Sequence, residues 1–485
     1  MAVKTGRDSA RRPRLRDAND VSATTRILLW ISPKTLTAFV AGALVVMATA
    51  FVVELAVRSP SEIAGSDLRV YQPYGSAVAK RQMPYRDFAL EYPPGALPMF
   101  IGPGTYLVAR GSTDEATWTP MNADANRYYR AFTGLVVANT VAIVVLTALS
   151  LGALSRPPRR TGFAVAVVAL SPLLLGDVFI GRFDVWPAAL TALALTLALF
   201  RRHALSGAVL GIGAATKVYP VLLLPVLIAV AARQRGIRTA VFATASAFAA
   251  AVAVFLPFLI VAPSGTWHAL RVQAGGGLQI ESLAASLLVN AEHIENKLGS
   301  LGFPPPSPLT NRTIESGIQR RVLVGSGVHA TATTAAVLLV LVLVALWVAV
   351  ARSRGDPRED LVRFSAAVVA CTLVFSSVLS PQYLIWLMPL VPLVGGRRGA
   401  AATALLAGAA ILTNVWFPPE YTRYADRLGE RPAALLLARN LLLVATALVL
   451  VWPRPRTKSA SPMPITTNAD RGAPRAGPVP TRPAG

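Results

Sequence analysis

What most constrains this chain is a recurrence: apolar runs return throughout its length, separated by short stretches in which arginine dominates. Backbone N–H and C=O groups inside hydrocarbon must be satisfied within the protein, so such runs fold as helices or as closed barrels. Runs approaching 20 apolar residues select helices, whose rise of about 1.5 Å per residue matches a hydrocarbon core about 30 Å thick. We place spans at about 36–57, 131–154, 161–180, 183–200, 204–217, 218–232, 239–262, 330–351, 362–379, 381–394, 399–416 and 433–452. Several are short and must tilt or borrow from neighbours. The expected fold class is all-α, a polytopic integral membrane protein of about twelve transmembrane helices, with interfacial helices in its first outer loop.

Composition enters through charge. Only 15% of the 485 residues are charged, against about 25% in soluble domains. A formal net charge of +23 would suggest nucleic acid in a soluble protein. Here the cations lie in short runs between spans, which is how a bilayer orients a chain, so we read no nucleic-acid partner. The single cysteine, Cys371, lies in an apolar run; it excludes an intrachain disulfide and any cysteine zinc site. Ala48-Thr49-Ala50 resembles a cleavage site, but its apolar run is too long and starts too late for a signal peptide, so it reads as an uncleaved first span. Residues 1–35 form a basic cytoplasmic tail and 453–485 a Pro-, Thr- and Arg-rich one, both expected to be largely disordered.

Charge also fixes sidedness. If 93–109 spanned, Arg156, Arg159 and Arg160 would face outward and every later loop would invert. Read as an outer juxtamembrane or re-entrant helix, it lets the positive-inside rule hold at each turn. Arg201/Arg202, Arg233/Arg235/Arg238, Arg352/Arg354/Arg358/Arg363 and Arg397/Arg398 then share the inner side with both termini. The 36–452 membrane domain thus carries a first outer loop at 58–130 and a long outer loop at 263–329. The polar oddities of the sequence fall on that outer side, at span ends.

Asp67 opens the first outer loop about ten residues after the first span, where a carboxylate can act as general base on a hydroxyl acceptor; Glu62, Asp87 and Glu91 are its local competitors. Tyr71 follows, and Tyr92-Pro93-Pro94-Gly95 marks a helix start. Gly181-Arg182-Phe183-Asp184 is a tight turn in which Asp184 either orients Arg182, contacts a sugar hydroxyl or simply closes a paired turn. Thr216-Lys217-Val218-Tyr219-Pro220 places an ammonium near a span end, where it snorkels or holds phosphate. Gly207 and Gly211 upstream give a small-residue face suited to helix packing. In the long loop, Arg271, a glycine run, Gln279 and Glu281 offer donors and acceptors for sugar or phosphate. His329 caps a helix or contacts phosphate. No HExxH, GxxxxGK[ST] or well-placed GxSxG is present, which removes zincin, P-loop and serine-hydrolase readings.

With these residues in view, the chain resembles the GT-C superfamily of membrane glycosyltransferases that use polyprenyl-phosphate sugars, and within it family 87, over about residues 36–452. The likeness rests on Asp67, Pro84-Tyr85-Arg86-Asp87-Phe88, Tyr92-Pro93-Pro94, Gly181-Arg182-Phe183-Asp184, Lys217-Val218-Tyr219-Pro220, Gln279-Ile280-Glu281-Ser282 and Ser380-Pro381-Gln382-Tyr383. It implies an inverting hexosyltransferase, mannosyltransferase-like, at the outer face of the plasma membrane in cell-envelope synthesis. Asp67 would be the catalytic base and Lys217, Arg182, Arg271 and His329 the donor-phosphate ligands. Tyr71, Asp87, Tyr92, Asp184, Tyr219, Gln279, Glu281, Gln382 and Tyr383 would face sugar or acceptor. The implied partners are a polyprenyl-phosphate sugar donor, a glycolipid or glycan acceptor and the bilayer; no metal and no cofactor are implied. Many superfamily members carry two adjacent acids in this loop, whereas Leu68-Arg69 follows Asp67 here, as in family 87. We expect no large soluble carbohydrate-binding domain after the last span. Composition has the GC-rich style of an actinobacterium. The alternatives are an arabinofuranosyltransferase, a twelve-span lipid or solute transporter, which would carry mid-membrane charges and a near twofold repeat where we read neither, Glu54 being the only acid deep in a span and lying near its outer end, and a scaffold that kept the fold and lost the chemistry.

Overall fold

The computed structural model describes residues 33–57, 67–110, 123–274, 277–301, 313–316 and 321–452. Residues 1–32 and 453–485 of the two expected tails, and Glu62, lie outside the described residues, whereas residues 33–35 begin the first helix.

Helix α1 (Pro33–Val57) is followed by α2 (Leu68–Ala79), a 3₁₀ turn at Pro94–Ala96 and α3 (Leu97–Ala109). Then come α4 (Ala123–Ala153), three short pieces α5 (Pro158–Ala169), α6 (Ser171–Leu175) and α7 (Asp177–Ile180), then α8 (Val185–Leu199) and α9 (His203–Thr216). A 3₁₀ turn at Tyr219–Leu223 leads into α10 (Leu224–Arg235), and α11 (Ile237–Val261) and α12 (Pro263–Ala274) follow. The next stretch holds β1 (Leu278–Gln279), α13 (Leu283–Ser300), β2 (Thr313–Ser316) and β3 (Arg321–Val324). The chain continues through α14 (Val328–Arg352), α15 (Pro357–Phe375), 3₁₀ turns at Pro381–Leu387 and Val391–Leu393, α16 (Gly396–Trp416), α17 (Tyr421–Arg427) and α18 (Glu430–Val451).

Among the described residues six helices, α1, α4, α11, α14, α16 and α18, are long and apolar enough to cross a membrane. Leu, Val and Ala side chains stand exposed along α11 and α14, including Val241, Phe248, Val340 and Leu341, as they do where lipid replaces water. The protein is therefore an integral membrane protein. The remaining expected spans take other forms. Residues 161–180 break into three helices, with Pro172 opening α6 and Gly176, at φ 57°, separating α6 from α7. α8 and α9 have 15 and 14 residues. Residues 381–394 are 3₁₀ turns rather than one α-helix, and Pro389 and Pro392 inside the stretch each withhold a backbone donor. The protein is an all-α membrane protein as expected, and beside its helices a small antiparallel sheet in the order β1-β3-β2 sits in the 263–329 segment.

Close helix approach is built with glycine. A Cβ at Gly207 or Gly211 on α9 would overlap the carbonyl of Ala243 or Ala247 on α11, so the small-residue face of the sequence is a packing face. Likewise Gly75 on α2 lies against the backbone of Phe100 and Gly104 on α3, which clamps the first loop's two helices together. Tyr92-Pro93-Pro94 does begin a helical segment, and α3, at 13 residues, covers only about 20 Å, short of a hydrocarbon core.

Arginine side chains also tie segments together. At one end of the bundle Arg156 donates to both oxygens of Glu359, at 2.7 and 3.0 Å, and to the Leu393 carbonyl. Arg160 donates to the carbonyls of Pro392 and Val394. Arg233 pairs with Asp360 at 2.8 Å, and Arg363 reaches the Leu450 and Val451 carbonyls at the end of α18. These cations meet carbonyls that helix geometry leaves without partners. α8 runs away from Asp184 toward this end and α9 returns from it to Lys217, so the polar site lies at the opposite end.

Candidate functional site

The site is organised by three consecutive residues of the turn between α7 and α8. Arg182 is ion-paired with Asp67, which stands at the N-terminus of α2. Phe183 is buried and meets Tyr71 edge-on at 5.9 Å and Tyr92 at 5.3 Å. Asp184 accepts from the Lys217 ammonium at 2.7 Å and from Trp386 Nε1 at 2.8 Å. The cation and the anion of this turn therefore serve different partners instead of each other, contrary to the paired-turn reading.

Around Asp67 the structure is aromatic. Tyr71, one turn along α2, donates its hydroxyl to Asp67 Oδ2 at 3.2 Å, and its ring stacks on Phe100 at 4.5 Å. Burial, with Tyr92 and Asp184 nearby, pushes the Tyr71 phenol well above its usual range, so it acts as a donor at neutral pH. The Asp67 side chain keeps 30% of its surface exposed while that of Arg182 keeps 13%. Burial lowers the Arg182 guanidinium to about 10, opposed by the Asp184 and Glu281 charges; it remains a cation. A carboxylate reachable from solvent and held by two donors is fit to take a proton from a hydroxyl.

Around Lys217 the wall is a stack. Tyr219 lies on Trp386 at 4.2 Å, and Trp386 on Tyr383 at 4.0 Å. The Lys217 ammonium stands 4.8 to 5.3 Å from the rings of Tyr383, Phe183 and Trp386, a cation–π setting. Tyr219 donates to Pro187 O at 3.0 Å and shares a hydrogen bond with Thr191 at 2.9 Å, which locks it to α8. A cavity of about 160 Å³ opens here, with Lys217, Tyr219, Leu222, Ser376, Tyr383 and Trp386 in its lining. Trp186 Nε1 donates to the Gly95 carbonyl at 3.0 Å, and a Cβ at Gly95 would overlap Ala215; together these dock the first loop on α8 and α9.

A third group lies at the small sheet. Gln279 Nε2 donates to Ser380 at 3.1 Å, and its backbone N–H to Ser377 O at 2.9 Å, which ties β1 to the segment after α15. Glu281 is buried, and burial raises its carboxyl to about 7 against the pull of Arg439 and Arg182. Arg439 and Asn440, inside α18, both donate to the Glu281 carbonyl, at 3.2 and 3.3 Å. Arg439 is a mid-span charge that the sequence reading overlooked: ALLLARNLLLVA is apolar on average and hides it. Also missed were Asn440, in the same apolar run, and Trp386, concealed in a stretch read as a span.

Three expected site residues, Asp87, Arg271 and His329, stand apart from these groups. Asp87 is exposed, and hydrogen bonds from Arg86 and from the Met83 backbone hold its carboxyl down to about 2, so it is a surface ion pair. Arg271 lies on α12 with its guanidinium over Trp267 at 5.3 Å. His329 is exposed in the first turn of α14 and lines a separate cavity of about 470 Å³ beside Gly277, Val322 and Ser377. Gln382 is half-buried beside Tyr383. Of the competitors to Asp67, Glu91 is half-buried and immediately precedes Tyr92. Among the described residues no three of His, Cys, Asp and Glu gather in a way that could hold a metal ion.

No curated protein matches the chain. Residues 91–381 match the model of glycosyltransferase family 87, a stretch that contains Arg182, Asp184, Lys217 and Glu281, begins after Asp67 and stops short of Trp386. Since that match spans more than half of the sequence, the chain belongs to glycosyltransferase family 87, and it is a membrane-embedded glycosyltransferase.

Proposed function

We propose that the protein is an inverting glycosyltransferase that moves a sugar, mannose in our reading, from a polyprenyl-phosphate donor to a glycolipid or envelope-glycan acceptor at the outer face of the plasma membrane. Asp67 takes the proton of the acceptor hydroxyl as its oxygen attacks the anomeric carbon. The bond from that carbon to the phosphate oxygen breaks, and the phosphate leaves with the electron pair. The observation that carries this reading is the Asp67–Arg182 ion pair beside the Asp184–Lys217 pair: a base and two cations gathered by one turn, which itself supplies Arg182 and Asp184.

Electrostatic preorganisation asks for donors aimed where charge develops. Arg182 is fixed by burial, can serve the leaving phosphate, and releases Asp67 as it does so. Lys217 is the second phosphate ligand, its ammonium steadied by Asp184 and three rings. Tyr71 keeps Asp67 oriented. Tyr92, Tyr219 and Tyr383 supply the apolar and aromatic walls against which a sugar or the first isoprene units would pack. Both termini are cytoplasmic in this reading. The test is transfer of labelled sugar by membranes carrying the wild type, from polyprenyl-phosphate mannose and separately from polyprenyl-phosphate arabinofuranose: product from the first donor supports the reading, product from the second alone changes the sugar, and product from neither overturns it.

A further inference from the structure

Four buried side chains at the junction of β1 and α18 each keep polar atoms with no hydrogen-bond partner in the protein. They are Oε1 of Gln279, Oε2 of Glu281, Oδ1 of Asn440, and both Nε and Nη1 of Arg439. None of these residues is more than 4% exposed. They form one group: Arg439 Nη2 and Asn440 Nδ2 converge on the Glu281 carbonyl, Gln279 lies two residues earlier, and Tyr424 donates to the intervening Ile280 carbonyl at 3.1 Å. Buried polar atoms in natural proteins are almost always satisfied, and a charged side chain within a membrane-spanning helix is costly to keep unless it has a task.

The chemistry of the free atoms selects what would satisfy them. Arg439 offers two donor nitrogens, whereas Gln279, Glu281 and Asn440 offer three oxygens. An anion would meet three oxygens, and a cation would meet the guanidinium. A hydroxylated ring carries groups that each donate and accept, so it answers both sets at once. Arg182, the partner of Asp67, feels the Glu281 charge, which couples this group electrostatically to the proposed reaction centre.

We propose that Gln279, Glu281, Arg439 and Asn440 form a sugar-hydroxyl subsite that grips the hydroxyl edge of a glycosyl ring while Asp67 and Arg182 act at its reacting end. This rests on the reading of the protein as a polyprenyl-phosphate-sugar transferase. Arg439 and Asn440 thereby become specificity residues of the last span. A donor ring and an acceptor ring present the same chemistry, and the experiment separates them.

The full chain in nanodiscs is titrated with polyprenyl-phosphate mannose against polyprenyl phosphate, and with octyl α-mannoside against octanol, for the wild type, Glu281→Gln, Gln279→Leu and Arg439→Lys. In the wild type one ring-bearing ligand binds roughly tenfold or more tighter than its ring-free counterpart, the effect of at least one buried hydrogen bond; gain on the first pair assigns the donor ring, gain on the second the acceptor ring. In the variants that gain collapses while affinity for the ring-free ligand is unchanged, and Glu281→Gln and Gln279→Leu carry the test should Arg439→Lys not fold. The proposal is overturned if the gain survives in the variants, if ring-free affinity falls equally, as a merely structural or water-filled cluster would give, or if the wild type shows no gain with either pair. Ring-dependent binding without any transfer would sink the transferase reading and leave the subsite standing, whereas transfer with unaltered ring selectivity in the variants would do the reverse.

Discussion

The Asp184 carboxylate holds the Lys217 ammonium at 2.7 Å, although the sequence places Arg182 much closer to it. The structure gives that nearer cation to Asp67. One short turn therefore ties the start of α2, the end of α9 and, through Trp386, the 3₁₀ segment after α15 into a single polar centre.

Removing one partner of the inner pair should be costly. Lys217→Met leaves the Asp184 carboxylate, 1% exposed, without its cation, and we expect a destabilisation of about 3 to 5 kcal/mol. The double variant Lys217→Met/Asp184→Asn should recover a large part of it, since no charge is then buried alone. Thermal unfolding in detergent across the four-member cycle checks this; an additive double variant contradicts a direct pair.

Glu281 makes a pH prediction. The folded protein binds its proton more tightly than the unfolded chain does, with the carboxyl raised from 4.5 to about 7. The stability from this group is therefore fully present below about pH 4.5 and is lost as pH rises to about 7, by roughly 3 kcal/mol. Unfolding midpoints measured from pH 4.5 to 8 should fall in the wild type and fall less in Glu281→Gln. Parallel profiles would mean the carboxyl is not held in its neutral form.

The α9–α11 contact predicts a steric cost. Gly207→Ala and Gly211→Ala each push a methyl into a backbone carbonyl on α11, and each should destabilise by about 1 to 3 kcal/mol, the usual cost of overpacking. Gly42→Ala on α1 meets open space and serves as the neutral control. Equal melting temperatures for all three variants would mean that the helices do not approach as closely as described.

Much of this molecule is legible in its sequence, and the remainder is illegible for physical reasons. Long spans such as 237–261 announce themselves because lipid accepts apolar side chains on every face. Segments such as 158–180 and 381–394 are apolar for another reason: they are buried among other helices, so their composition says nothing about whether the backbone is continuous. Strands of two to four residues, β1 to β3, carry too short a pattern to read. The local motifs Gly181-Arg182-Phe183-Asp184 and Lys217-Val218-Tyr219-Pro220 stood out because polar groups interrupt apolar runs there. Their pairing did not, since Asp67 lies far from Arg182 in sequence and only the fold brings them together. Arg439 was lost to averaging, and its partners come from a loop more than 150 residues earlier.

The most direct test of the account is sugar transfer from polyprenyl-phosphate mannose by membranes carrying the wild type or Asp67→Asn at equal abundance. Asn keeps the shape and removes the base, so the account predicts a fall of about 10² to 10⁴ in rate. Transfer by Asp67→Asn at the wild-type rate would contradict it and move the search for the base to Glu91.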